Sequence, residues 1–104
     1  MSQTSPARVT LLVIYSPAIE DCRRFYEELG LVLTKEQHGT GPEHYAAILA
    51  GGTVLEIYPA SAKNQTGALR LGFAVDSGAT RPALPPGRHL LCDPDGRTVE
   101  VHVS

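Results

Sequence analysis

Two glutamates, an arginine and a histidine stand where a small cleft could use them. Glu56 and Glu100 each lie four residues after a turn glycine, Gly52 and Gly96, on the outgoing limb of an alternating run. Paired carboxylates on equivalent strands can hold a cation or perform general acid/base work. Arg70 adds a planar fork of donors that suits a carboxylate or carbonyl group. The three residues read with equal weight as the polar floor of a ligand cleft and as a structural ion-pair triad. His102 follows Glu100 by two residues and shares its strand face, which makes it the alternative ligand or general base; a solvated histidine near a terminus is its plainer reading. If Gly51-Gly52 is a two-residue turn, Ala50 opposes Thr53 and Tyr45 opposes Tyr58. Both phenols then face the cleft, either to stack on a planar ligand or to close the sheet. His38 and His44 flank the run HGTGPEH, a surface loop or a lip of the cleft. Cys22 and Cys92 form no CxxC pattern, so neither redox nor zinc chemistry is signalled, and Cys22 falls on an apolar helix face as a small buried residue.

The elements that must position these groups follow from periodicity. Residues 8–15, RVTLLVIY, are β-branched and apolar and predict a strand buried on both faces. Ser16-Pro17 signals a helix start with serine as cap. Ile19, Cys22, Phe25, Tyr26 and Leu29 then recur at helical spacing until Gly30 ends the helix, with Phe25 and Tyr26 as core residues. Residues 31–37 predict a second strand, and residues 44–49 and 53–58 a hairpin. After a polar connection, Leu69, Leu71, Phe73 and Val75 share one strand face while Arg70 faces the other way. Residues 76–88 are too rich in glycine and proline for a helix. The closing run CDPDGRTVEVHV is a hairpin in which Val99, Val101 and Val103 back a Thr98-Glu100-His102 ladder. The chain thus repeats itself, β-α-β-β-β and then three strands without the helix.

Length and composition bound the rest. A chain of 104 residues, 42% hydrophobic and 19% charged, predicts a single domain with one core. No apolar run approaches the ~20 residues that span a bilayer. The first residues carry no basic and apolar leader pattern, which predicts a cytoplasmic protein with a short tail. A net charge of −2 and the absence of tryptophan give no footprint for nucleic acid.

Taken in order, SPAIEDCRRFYEELGL after a first strand, VLEIYP after a hairpin and a closing DPDGRTVEV resemble the vicinal oxygen chelate superfamily, which includes glyoxalases, bleomycin-resistance proteins and extradiol dioxygenases. The resemblance runs from Arg8 to Val103. It implies an α+β fold of paired βαβββ modules, about 8–59 and a shortened 68–103, with clefts often completed by a second subunit. Enzymes of the group hold a divalent metal at four positions, which fall here on Leu11, Glu56, Arg70 and Glu100. Leucine has no lone pair and arginine stays protonated, so two of the four cannot ligate. The expectation is a metal-free and cofactor-free protein that binds or sequesters a small organic ligand, with Glu56, Arg70, Glu100, Tyr45, Tyr58 and His102 as binding residues. The alternative is a lyase-like or dioxygenase-like enzyme with an atypical metal set such as Glu56, Glu100 and His102, or with metal-free acid/base chemistry. The missing second helix would leave the face of Leu69, Leu71, Phe73, Val75 and the three valines uncovered, which predicts a homodimer.

Overall fold

A computed structural model describes residues 3–104. The chain runs β1 (Leu11–Ser16), α1 (Ile19–Glu28), β2 (Thr34–Glu36), β3 (His44–Ile48) and β4 (Val54–Pro59), then β5 (Arg70–Val75), a short 3₁₀ turn at Ser77–Ala79, β6 (Gly87–Cys92) and β7 (Thr98–Val103). The first sheet has the order β1-β4-β3-β2 and the second β5-β7-β6. In each, the first strand runs parallel to the last, and the last is antiparallel to its hairpin partner. The two sheets are therefore one topology used twice. The second copy lacks the counterpart of β2 as well as the helix; residues 76–86 stand in for both.

Alternation decides which face is which. Ile14, Leu55 and Ile57 of the first sheet, Cys22 and Tyr26 of α1, and Val99 and Val101 of the second sheet are fully buried in one cluster. One face of each sheet thus meets the helix, and the other looks outward. β1 accordingly is not buried on both faces as its composition suggests, since Leu11 is 54% exposed on the outward side.

The helix begins two residues later than a serine cap would place it. Ser16 is the last residue of β1; its Oγ accepts the Ala18 N–H at 3.0 Å and contacts Cys22 Sγ at 3.2 Å, while Ala18 holds the cap position. Gly30, with φ 105°, ends the helix in a conformation that a side chain would strain.

The apolar face of the second sheet finds its cover inside the chain. Phe73 packs on the Tyr26 ring at 6.0 Å between centroids, and Leu84 joins the same core from the 76–86 segment. That segment is pinned to the helix end by the Arg81 N–H donating to Glu28 O at 2.8 Å. The uncovered face expected from the missing helix is therefore not observed, because α1 serves both modules. Among the described residues no helix is long and apolar enough to cross a membrane.

Candidate functional site

The β3–β4 register rearranges the expected cleft by one residue. Leu49 N–H donates to Thr53 O at 2.8 Å, so Ala50 joins Gly51 and Gly52 in a three-residue turn, with both glycines at positive φ. A one-residue slip flips every side chain on a strand. Tyr45 consequently pairs with Ile57 and not with Tyr58. It lies on the helix face, where its hydroxyl donates to Glu20 at 2.5 Å and Arg23 covers its ring. This hydrogen bond lowers the Glu20 carboxyl below its ordinary value and raises the Tyr45 phenol. The residue that takes the place next to Tyr58 is His44.

The outward face of the first sheet carries a row of four rings. Tyr15 pairs with Tyr58 across β1 and β4, their centroids 5.8 Å apart. Tyr58 lies flat on His44 at 4.0 Å and 8°, and His44 meets His38 at 5.1 Å. Beside the row stands Glu56, flanked by the smaller Val13 on β1 and Ala46 on β3. Burial first, and then the neighbouring Glu56 carboxylate, raise the Tyr58 phenol. Leu11, the expected first metal position, pairs with Val54; the residue opposite Glu56 is Val13, equally without a lone pair.

His44 is the buried member of this group, at 1% exposure. Its Nδ1 lies 3.3 Å from Pro42 O, an oxygen that can only accept, so Nδ1 carries the proton. Nε2 faces Glu36 Oε1, 3.4 Å away, and Glu56 Oε2, 3.6 Å away, and makes no hydrogen bond. His38 Nε2 lies 3.5 Å from the same Glu36 oxygen. Among the described residues, Glu36, His38 and His44 form the group whose ligand atoms all fall within 4.8 Å of one another. The set Glu56, Glu100 and His102 is not brought together.

Glu100 belongs to a separate cluster on the second sheet. It accepts a close hydrogen bond from Arg88, and Arg70 and His102 lie 3.9 and 3.7 Å from its carboxylate. The bond from Arg88 holds the Glu100 carboxyl below its ordinary value. Arg70 thus lies next to Glu100 as expected, but among the described residues the group facing Glu56 is the His44 imidazole, so the triad of Glu56, Arg70 and Glu100 does not form. Arg88, which reads as a loop residue in the sequence, is in β6 directly across from His102.

A third polar group is internal, and the sequence pattern does not single it out. Asp93 accepts from the Tyr26 hydroxyl at 2.7 Å and from Arg97 at 3.0 Å, and its other oxygen takes the backbone N–H groups of Asp95 and Arg97. Arg97 also donates to Asp95 and to the carbonyls of Tyr15 and Thr66. The DPDGR turn is therefore a hub that ties β1, α1 and the inter-module connection together. Cys22 lies against it, its thiol donating to Asp95 at 3.4 Å, and burial pushes that thiol up to about 11. It is a packed residue with no thiolate at neutral pH. An apolar groove of about 760 Å³ opens elsewhere, between Ile48 and Leu49 on one side and Phe73, Ala74 and His102 on the other.

No protein-family model matches the sequence, and no curated protein matches it significantly. Solved structures do match the fold over nearly its whole length. A glyoxalase/dioxygenase from Nostoc punctiforme superposes with a TM-score of 0.65 at 20% identity, covering 100% of this chain and 97% of its own. TnmS3, an antibiotic binding protein from Streptomyces, gives 0.62 at 19% identity over 97% and 98%. A lactoylglutathione lyase from Agrobacterium tumefaciens gives 0.58 at 17% identity over 97% and 96%. At these identities the likeness establishes the architecture, that of the vicinal oxygen chelate superfamily.

Proposed function

We propose, for a chain with the vicinal oxygen chelate fold, that it binds a small planar organic molecule on the outward face of its first sheet. The observation that carries this reading is the half-buried pair Tyr15 and Tyr58, backed by the buried His44 and running beside Glu56, an aromatic shelf with one carboxylate set between small neighbours. Such a shelf offers stacking area and an acceptor for an amine or hydroxyl, which is how a mostly apolar site fixes orientation with few polar groups. The four-position metal site of the superfamily does not fit these residues. Leu11 and Val13 supply no donor on β1, and Arg70 and Arg88 already neutralise Glu100. That an antibiotic binding protein shares the fold makes a binding role a consistent one. Enzymatic turnover is a second reading, favoured by the histidine pair next to Glu56, a placement that would suit acid/base chemistry.

The reading includes a homodimer. Leu11 and Ile48 on the first outward face and Leu90 on the second are 54%, 80% and 54% exposed, and a second copy laid across these faces would close the shelf into a cleft.

The test is a thermal-shift and equilibrium-dialysis screen of planar aromatic antibiotics and polyketides against the parent, Tyr58→Ala, Glu56→Gln and Tyr45→Phe. Loss of one stacking partner costs about 0.5–1.5 kcal/mol, up to roughly tenfold in Kd. A ligand of the shelf binds Tyr58→Ala and Glu56→Gln more weakly and Tyr45→Phe normally, since Tyr45 faces the helix. Hits held equally tightly by the first two variants would overturn the assignment.

A further inference from the structure

We infer that Glu36, His38 and His44 form a binding site for a single transition-metal dication of the zinc type, at a place that none of the superfamily's four positions occupies. The argument starts from His44. Its Nδ1 faces Pro42 O, so in the neutral imidazole the buried Nε2 presents a lone pair to two carboxylate oxygens, three acceptors converging with no donor among them. A buried acceptor without a partner is costly, and acceptors turned toward one another call for a cation between them. The backbone carbonyl on Nδ1 is the kind of outer partner that fixes the tautomer of a metal-binding imidazole.

The spacing agrees. Ligands at about 2.0–2.1 Å from a tetrahedral ion lie about 3.3–3.4 Å from one another. The Nε2 atoms of His44 and His38 stand 3.4 and 3.5 Å from Glu36 Oε1, too long for good charge-assisted hydrogen bonds yet close to that tetrahedral edge. The third edge, within 4.8 Å, is the one that the exposed His38 side chain can shorten. Two imidazoles and one carboxylate suit zinc, cobalt or iron better than calcium or magnesium, which prefer all-oxygen shells. Three protein donors leave a fourth position open, and Glu56, 3.6 Å from His44 Nε2, stands beside it to accept a proton from bound water or to orient a ligand donor. The expectation of a metal-free protein rests on Leu11 and Arg70 and does not bear on this group.

This inference goes beyond the binding role and is tested without any organic ligand, so that either can fail alone. The chelator-stripped protein is titrated with Zn²⁺ by calorimetry and with Co²⁺ by visible absorption. The expected result is one ion per chain and a tetrahedral cobalt spectrum. His38→Ala and Glu36→Gln, at exposed or half-exposed positions that do not endanger folding, should weaken zinc by more than the roughly 10–100-fold cost of losing a merely supporting partner. His44→Gln should abolish the site, and Glu100→Gln should change nothing. The inference is overturned by a parent that takes up no ion, by zinc binding that survives both His38→Ala and Glu36→Gln, or by NMR showing His44 held as an imidazolium between Glu36 and Glu56 while zinc is present.

Discussion

Replacing Arg97 with methionine would remove the cation at the centre of the buried DPDGR hub. The guanidinium is 2% exposed at its side chain, and its partners Asp93 and Asp95 are 0% and 9% exposed. Methionine keeps most of the volume but leaves two carboxylates facing each other without a positive charge, and two carbonyls, of Tyr15 and Thr66, without their donor. Breaking a buried pair from one side typically costs about 3–5 kcal/mol, against a total stability of roughly 5–15 kcal/mol for a small domain. With a urea m-value of about 1–3 kcal/mol/M, the unfolding midpoint should fall by at least about 1 M. The double variant Arg97→Met/Asp93→Asn should recover part of the loss, because asparagine removes the stranded charge while still accepting the backbone N–H groups of Asp95 and Arg97. Equilibrium urea unfolding of the parent, the two single variants and the double variant gives the coupling energy directly. A single variant within about 0.5 kcal/mol of the parent, the range of ordinary surface changes, would refute the hub as a buried ion network.

Two further outcomes follow from the same geometry. Burial works to raise the Asp93 carboxyl, but hydrogen bonds from Tyr26 and from Arg97 outweigh it and hold it below its ordinary value; its contribution is therefore present above the unfolded value near pH 4 and is lost as pH falls through the lower folded value. Acid unfolding of the parent should steepen below about pH 4, and Asp93→Asn should flatten that limb; an unchanged acid slope would sink the assignment. For the homodimer, sedimentation velocity at micromolar concentration should give a species of twice 11.1 kDa, and a single 11.1 kDa species would count decisively against it.

Periodicity carried the elements because it reports which side of a strand is apolar, and that does not depend on the partner strand. The ladder Thr98, Glu100, His102 backed by Val99, Val101 and Val103 is present as the alternation requires, with the three valines buried. The shared topology of the two modules was legible for the same reason. The cover of the second sheet was not, since nothing local to α1 says that Tyr26 also packs on Phe73. Nothing in the sequence singles out Arg97, because the turn residues around it explain themselves as a hairpin. The spacing of Asp93, Asp95 and Arg97, two residues apart, is the one local hint that their side chains could converge.

The cation site illustrates the harder limit. Glu56 could be singled out by its distance from a turn glycine, a property of one strand. Which residue stands beside it depends on how two strands are paired, and that is set by the turn. Two glycines permit a two-residue turn, and a two-residue turn places Tyr45 next to Tyr58. The chain instead spends Ala50 in the turn as well, which moves every β3 side chain to the opposite face. His44 then lies under Tyr58 with its free nitrogen toward Glu36 and Glu56, while Tyr45 turns to the helix and Glu20. On the helix face this register sets Tyr45 and Ala47 beside Ile57 and Leu55, and it leaves Ile48 80% exposed on the outward side. The turn thus sets the register, and the register is what assembles the histidines around the carboxylates.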